Sequence, residues 1–334
     1  MFNSFGTRLS YVRRQDLSRF LQSTFSMLLF RFLPLRLARA YLGWQGFLYF
    51  LLNTSKKEGI HRAQVLALGH TRSSSEINFL CSKTISGMID HYFEKFFLAL
   101  KSLKQINKMT RCRIKAQGLE LLDQALTQHR GVILVTGHFG AVEFMPCALA
   151  AWGYPVTILC HCKTKALKER MENLAAKIGV RLLDPKDGQV FFSMLRELAQ
   201  GRVLITQCDE MEAWRPYNDR QIDFLGLKMK LDRTLDVLVK KAKAPILFAL
   251  NHRRSHGKYL LAIDDPLTHA AAREMDRISA KCLTLLGSYI YSAPEAWYEW
   301  SKIETLESAS EIRNENNQLI SLSGQMAFQP ASTT

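Results

Sequence analysis

The sequence predicts an α/β protein with a mixed, largely parallel sheet covered by helices, preceded by a separate helical segment at the N-terminus. Short apolar runs alternate with amphipathic segments through the second half of the chain, as they do when helices cross between parallel strands. Glycines close several of the amphipathic segments, which is typical of helix C-termini. The 334 residues are enough for one large domain with a small appendage.

Residues 1–60 form the N-terminal segment and combine basic with apolar and aromatic residues. They hold nine Lys and Arg against two Asp and Glu, and two apolar stretches at 20–30 and 40–52. Neither stretch reaches the roughly 20 residues that span a bilayer. We therefore expect membrane-associated helices that lie in the interface, with arginines reaching the phosphate layer. A tilted single span starting near residue 17 and a pair of buried core helices are the alternatives.

Residues 61–303 are predicted to form the α/β domain. Apolar residues spaced by three and four predict an amphipathic helix over 85–103. Buried strands are expected at 131–136, 155–160, 180–183, 202–207 and 245–251. Helices are expected just beyond His138 and at 165–178, 188–200, 231–243 and 272–289, and a hairpin-like pair at 246–263. Residues 304–334 are rich in Ser, Asn, Gln and Glu, so we predict a mobile polar tail.

The net charge of +15 favours anionic partners, among them nucleic acid, anionic lipid and acidic proteins. Seven cysteines are scattered singly, which is typical of reduced packing residues in a cytosolic compartment. The triplet 160–162 (Cys-His-Cys) has no second cluster at zinc-site spacing, so no metal site is expected.

Three common chemical motifs are missing from the sequence. It has no Gly-x-Ser-x-Gly turn, no Gly-x4-Gly-Lys-Ser/Thr loop and no Gly-x-Gly-x-x-Gly turn. Hydrolysis through a serine nucleophile, nucleotide hydrolysis and dinucleotide redox chemistry therefore lose their main support.

The segment VILVTGHFGAVEF places His138 where a buried strand ends and Glu143 five residues later. Ligands bind at this carboxyl end of strands in open α/β sheets. A neutral imidazole takes a proton from a hydroxyl, and a carboxylate on its other nitrogen fixes the tautomer and stabilises the imidazolium. We therefore predict His138 as general base and Glu143 as its orienting partner. They meet only if His138 precedes the helix and turns back, which Gly137 and Gly140 allow.

The chain resembles the bacterial lipid A late acyltransferases, the lauroyl and myristoyl transferases of the lysophospholipid acyltransferase-like superfamily. These enzymes carry a histidine, four residues and an acidic residue, as His138 and Glu143 stand here. The resemblance extends from about residue 20 to 300 and includes HRAQVLALGH, KAQGLELLDQAL, GRVLITQCDE, IDFLGLKMK and PEAWYEW.

The resemblance implies transfer of a fatty acyl chain from acyl carrier protein, or from acyl-CoA, to a hydroxyl of an anionic, lipid A precursor-like glycolipid. It implies the cytoplasmic face of the bacterial inner membrane, no metal or organic cofactor, and no nucleic-acid partner. Asp209 is then a substrate-binding site residue at a neighbouring strand end. His161, with Lys163 beside it, stands where relatives have an arginine. Arg215 lies in the loop 210–221, which can cover the acceptor or remain a solvated loop.

Other functions stay open at this point. The chain reads WYEWSKI where close relatives have a histidine and two arginines, so the acceptor can be another phospholipid or glycolipid. A glycerol-phosphate acyltransferase is disfavoured because its Glu-Gly-Thr-Arg motif is missing. A thioesterase would use the same two residues to activate water. A basic membrane-surface or nucleic-acid-binding protein without catalysis would not need His138.

Overall fold

The computed structural model describes residues 17–21, 23–162, 164–211 and 215–303. The predictions for residues 1–16 and for a mobile tail at 304–334 lie outside the described residues. The described part is an α/β protein with a mostly parallel sheet and helices on its faces, as predicted from the sequence.

Helices make up most of the N-terminal third and then alternate with strands. The helices are α1 Leu17–Leu21, α2 Thr24–Phe32, α3 Leu35–Leu52, α4 Thr54–Leu68, α5 Ser74–Leu100, α6 Leu103–Arg113, α7 Leu119–Leu126, α8 Met145–Ala151, α9 Lys165–Ile178, α10 Val190–Ala199, α11 Thr234–Ala242 and α12 Ile278–Ser292. The strands are β1 Ile114–Gln117, β2 Val132–Thr136, β3 Val156–Leu159, β4 Arg181–Leu183, β5 Val203–Gln207, β6 Pro216–Phe224, β7 Leu227–Asp232, β8 Ile246–Arg254 and β9 Lys258–Asp264.

Seven strands form one sheet in the order β1-β9-β8-β2-β5-β3-β4, and β6 and β7 form a separate hairpin. Strand β2 pairs in parallel with β5 on one side and with β8 on the other. Only the β8–β9 pair within the seven-stranded sheet is antiparallel. Since β2 lies in the middle and is buried along its length, its carboxyl end is a natural place for a site.

The predicted strands of the sheet are found within a residue or two, except that β8 continues to Arg254. The hairpin-like pair at 246–263 is the antiparallel β8–β9 pair. Other features differ from the predictions. The helix expected at 272–289 is α12, which starts at Ile278 and ends at Ser292. The edge strand β1 is too short to show a periodic pattern, and the expected loop 210–221 contains the start of β6, whose exposed residues give it a polar composition.

Helices cover both faces of the sheet around two hydrophobic cores. One core packs β2, β5 and β8 against the C-terminal helices and the N-terminal helices, and the other packs the opposite face against α6 to α9. Helix α4 runs across the boundary predicted between residues 60 and 61. Leu21, Phe30, Leu42 and Ile60 thereby belong to the same core as the sheet.

Helix α5 begins eleven residues before the predicted start of its amphipathic stripe. Ser73 and Glu76 form a capping box in which each side chain bonds the other residue's backbone N–H, so the helix starts at Ser74. Among the described residues, no helix is both long enough and apolar enough to cross a bilayer.

Candidate active site

The chain leaves β2 through a tight turn that carries His138. Gly137 lies under this turn, and a Cβ there would meet the Leu286 side chain at 2.7 Å and an Asp209 oxygen at 3.2 Å. Gly140 has a φ of +58° and sits against the backbone of Asn251, where a side chain has no room. The two glycines allow His138 to point back over the end of the sheet.

The helix expected just beyond His138 begins later than predicted. Residues Val142–Phe144 form a single 3₁₀ turn, and α8 starts at Met145 with Pro146 in its first turn. The turn, and not a regular helix, decides where the Glu143 side chain points.

The orienting carboxylate of His138 is Asp209. His138 Nδ1 donates to Asp209 Oδ1 at 2.9 Å, and the His138 backbone N–H donates to Oδ2 at 2.8 Å. The indole Nε1 of Trp297 donates to the same Oδ2 at 2.8 Å. Asp209 is fully buried, so these three donors compensate the loss of water around its charge.

Strand register explains why these residues meet. Strands β2 and β5 are parallel neighbours in which Thr136 lies opposite Gln207. His138 and Asp209 each come two residues after these positions, so they leave the sheet side by side. The predicted strand-end position of Asp209 is therefore correct, while its direct contact with His138 was missed because the sequence does not show which strand neighbours β2.

The segment Pro294–Tyr298 holds the site from the other side. The Ala296 carbonyl accepts from Gly140 N at 2.8 Å, and the His138 carbonyl accepts from Tyr298 N at 3.2 Å. These bonds place the Trp297 side chain over Asp209. The PEAWYEW motif thus has a structural role in the site.

The other ring nitrogen of His138 faces a second carboxylate. Glu210 Oε1 lies 3.2 Å from Nε2, and the Gln207 amide nitrogen lies 3.3 Å from it. Lys302 Nζ is 3.3 Å from both Glu210 Oε2 and Glu299 Oε2, and Glu299 Oε1 is 4.0 Å from Nε2. The Glu210 side chain is 44% exposed, so a ligand can displace it more easily than it can displace Asp209.

These carboxylates keep the imidazole charged. Burial by itself lowers the pKa of His138, but Asp209, followed by Glu210 and Glu299, outweighs burial and raises this pKa to about 10. The hydrogen bond from His138 lowers the pKa of Glu210 to about 2. With this pKa, His138 is an imidazolium at neutral pH and lies between two carboxylates. It becomes a base only when the contact at Nε2 changes.

The predicted pairing of Glu143 with His138 is not what the structure shows. Glu143 Oε1 lies 3.0 Å from Lys95 Nζ and 3.6 Å from His91 Nε2, both on α5. Burial lowers the pKa of Lys95, but the Glu143 charge outweighs it and raises this pKa. Since the 3₁₀ turn directs Glu143 toward α5, the carboxylate cannot fix the tautomer of His138 directly.

Glu143 is nevertheless connected to His138 through two rings. The Tyr298 ring stacks on His91 with centroids 4.4 Å apart and meets the His138 ring edge-on at 5.6 Å. Burial lowers the pKa of His91 well below its usual range, so His91 is neutral. The Glu143–Lys95 pair therefore supports the wall on which the His138 ring rests.

Two of the remaining predicted site residues, His161 and Arg215, bond partners other than His138. His161 Nδ1 is 3.2 Å from Asp184 Oδ1, beyond the end of β3. Arg215 is exposed at the start of β6, and its backbone N–H donates to Asp232 at 2.8 Å. Lys163 lies outside the described residues. Their predicted substrate-binding role stays a prediction.

Residues that the sequence reasoning did not single out complete the site. They are His91, Lys95, Gln207, Glu210, Trp297, Tyr298, Glu299 and Lys302. Trp297, Tyr298 and Glu299 belong to the PEAWYEW segment that resembles relatives, while WYEWSKI as a whole departs from them, and neither pattern assigned these residues to the site. Their proximity to a strand-end histidine gives them a role that their order in the sequence does not reveal.

Fold and site together define a protein class: an α/β protein with a buried carboxylate–imidazole pair at the carboxyl end of a parallel sheet, an arrangement that can activate a hydroxyl by general-base catalysis. The chain matches the family model for bacterial lipid A biosynthesis acyltransferases over residues 11–302 and belongs to that family. The family implies acyl transfer onto a lipid A-like acceptor. No curated protein matches the chain.

Proposed function

We propose that the protein transfers a fatty acyl chain from acyl carrier protein to a hydroxyl of a lipid A precursor-like glycolipid, with His138 as general base. The single observation that carries this proposal is the buried hydrogen bond from His138 Nδ1 to Asp209 Oδ1. It fixes the tautomer in which Nε2 is the nitrogen that faces the more exposed side of the site.

The reaction begins when the imidazolium releases its Nε2 proton to solvent and the acceptor hydroxyl replaces Glu210 at Nε2 of the neutral His138. The imidazole takes the hydroxyl proton while the oxygen attacks the thioester carbonyl, and a tetrahedral oxyanion forms. The oxyanion collapses, the C–S bond breaks, and the leaving sulfur takes the proton from the imidazolium. The products are an ester and a free thiol, and His138 returns to its neutral form.

Asp209 stabilises the imidazolium in this sequence. Its charge is already in place and its three hydrogen bonds hold it still, so it needs no rearrangement when the proton arrives. Glu143 acts on the same reaction as a positioning residue, because its pair with Lys95 supports the His91 and Tyr298 rings beside His138.

We further propose that the protein works at the cytoplasmic face of the bacterial inner membrane and binds it through α2 and α3. An apolar stripe of exposed side chains follows one face of each helix, at spacings of three, four and seven residues. Its members are Phe25, Leu28 and Phe32 on α2, and Leu37, Trp44, Phe47 and Leu51 on α3. Arg31 and Arg36 are exposed near this apolar stripe and can reach lipid phosphates.

The experiment that tests the function is transfer of labelled acyl chains from acyl carrier protein to total bacterial membrane lipids, with the product identified by mass. The parent protein and His138→Ala are compared, and His256→Ala, an exposed histidine in the β8–β9 turn, is the matched control. One acylated glycolipid should form with the parent and the control but not with His138→Ala. Release of free fatty acid without an acylated lipid would instead identify a thioesterase.

A further inference from the structure

Helix α6 presents a stripe of basic side chains, of which only Arg111, in the last turn, is favoured by the helix dipole. Ser102 and Gln105 cap the helix, and Ile106 packs into the core. On the exposed face Lys104, Lys108 and Arg111 follow each other at intervals of four and three residues. Like charges at these spacings destabilise a helix. The stripe therefore points to a function outside the fold.

The charges continue onto the β8–β9 turn, at the end of the sheet beside α6. Arg113 Nη1 donates to the His256 and Gly257 carbonyls at 3.0 and 3.3 Å, which joins the end of α6 to the β8–β9 turn. Arg254 and Lys258 lie directly opposite each other on β8 and β9, a like-charge pair that is also unfavourable. We call this surface the basic edge: Lys104, Lys108, Arg111, Arg113, Arg254 and Lys258.

Acidic residues are missing from the two segments of sequence that form the basic edge. None of its six side chains forms an ion pair with a carboxylate of the described residues. The sequence has no Asp or Glu over 101–119 or over 251–263. By contrast, the next basic residue inward, Arg253, makes two bonds to Glu94 at 2.8 and 2.9 Å. The edge thus keeps its charge available for an anionic partner.

The basic edge is close to the candidate active site. The Asn251 carbonyl accepts from Ala141 N at 2.7 Å, and the Phe139 ring, next to His138, packs on His252 at 5.3 Å. Arg254 is three residues further along β8, which corresponds to about 10 Å of extended chain. A partner on the basic edge can therefore deliver a reactive group to His138.

The composition of the edge distinguishes it from the proposed membrane surface. Membrane-binding surfaces combine cations with apolar side chains that enter the lipid. None of the large exposed hydrophobic side chains of the described residues falls within 101–119 or 251–263, whereas the stripe on α2 and α3 holds seven of them. A cationic surface without apolar side chains suits a soluble acidic protein.

We propose that the basic edge is the docking surface for an acidic acyl carrier protein, which presents its thioester to His138 from this side. The inference rests on the proposed function, since it names the donor that the same site uses. It also predicts that acyl-CoA, which has no protein surface to dock, does not depend on the edge.

The test uses two variants of the full chain, each with three reversed charges. The first is Lys104→Glu/Lys108→Glu/Arg111→Glu, and the control is Lys177→Glu/Lys240→Glu/Lys241→Glu, which reverses exposed lysines on α9 and α11. Initial rates are measured with acyl carrier protein and with acyl-CoA as donors. Binding of carrier protein without an acyl chain is measured separately by fluorescence anisotropy at low and high salt, and binding to phosphatidylglycerol vesicles is measured by sedimentation. Thermal unfolding shows whether each variant is folded.

The proposal predicts that only the α6 variant loses carrier-protein binding and at least about tenfold in kcat/KM with that donor, because steering is lost. Its kcat/KM with acyl-CoA should stay the same. Equal losses of kcat/KM with both donors, or no loss with either donor, would overturn the docking surface and leave the proposed function intact. If the α6 variant keeps carrier-protein binding and loses only binding to phosphatidylglycerol vesicles, the docking surface is also overturned, since the partner is then the membrane. If the parent acylates no lipid but the α6 variant still loses carrier-protein binding, the proposed function is wrong and the docking surface is supported.

Discussion

Replacing Glu210 with Gln should make the enzyme faster at neutral pH, although Glu210 lies in the site. Its carboxylate is 3.2 Å from His138 Nε2 and helps to raise the pKa of His138 to about 10. A general base works only when it is neutral. At pH values below its pKa, the rate therefore rises about tenfold with each pH unit. Any change that lowers this pKa moves the rising limb of the pH profile to lower pH.

The size of the shift follows from the hydrogen bond that is lost. A bond between two charged partners is roughly twice as strong as one with a neutral acceptor, and bonds to charged groups contribute about 1.5–3 kcal/mol. Losing half of this, about 0.75–1.5 kcal/mol, corresponds to about half a pH unit to one unit, since each unit is about 1.4 kcal/mol. We expect Glu210→Gln to move the rising limb to lower pH by that amount and to increase kcat/KM at pH 7 about three- to tenfold.

The assay is kcat/KM as a function of pH, which reports the free enzyme, with background thioester hydrolysis subtracted. Lys302→Met is a control with the opposite sign. Removing the cation that binds Glu210 and Glu299 strengthens their effect on His138 and should move the limb to higher pH. If the rising limb stays in place in Glu210→Gln, or moves in the same direction in both variants, then Glu210 does not raise the pKa of His138.

Three further predictions concern Trp297, the Glu143–Lys95 pair and the proposed membrane surface. Trp297→Phe removes one of three donors to Asp209 and should lower kcat about tenfold with little change in KM, measured by initial rates. Glu143→Gln leaves Lys95 largely buried without its partner and should cost about 2 kcal/mol in denaturant unfolding, of which adding Lys95→Met restores a part. Trp44→Ser with Phe47→Ser should weaken sedimentation with phosphatidylglycerol vesicles at least about tenfold.

Each of these has an outcome that contradicts it. A Trp297→Phe protein with unchanged kcat would mean that two donors suffice to hold Asp209. A Glu143→Gln protein as stable as the parent would mean that water solvates Lys95. Full vesicle binding by the Trp44 and Phe47 variant would move the membrane surface away from α2 and α3.

The sheet could be predicted because short buried runs of apolar residues, bounded by turn residues, leave few alternatives to a strand. Strands 132–136 and 203–207 begin with four and three such residues before a polar residue follows, and Gly179 marks the end of its helix with a φ of +74° as expected. The edge strand β1 and the polar strand β6 carry no such pattern. Their pairing depends on neighbours distant in sequence, which periodicity does not reveal.

The site could be predicted only in part for the same reason. His138 was placed at a strand end from local pattern, and Asp209 from the same pattern on another strand. Their contact follows from the order of strands in the sheet, which the sequence does not contain. Glu143 was assigned to His138 because five residues separate them. Its actual partner, Lys95, lies 48 positions earlier in the chain, beyond the reach of any local rule.

We infer that His138 and Asp209 act as one catalytic unit, and a double-mutant cycle of kcat measures their coupling. The rates of acyl transfer from acyl carrier protein are measured for the parent, His138→Ala, Asp209→Ala and the double variant. Residues that act as a unit are strongly non-additive. We expect the kcat of each single variant to fall about 10³-fold or more, and the double variant to be no slower than His138→Ala. Losses that multiply in the double variant, or an Asp209→Ala protein as active as the parent, would contradict it.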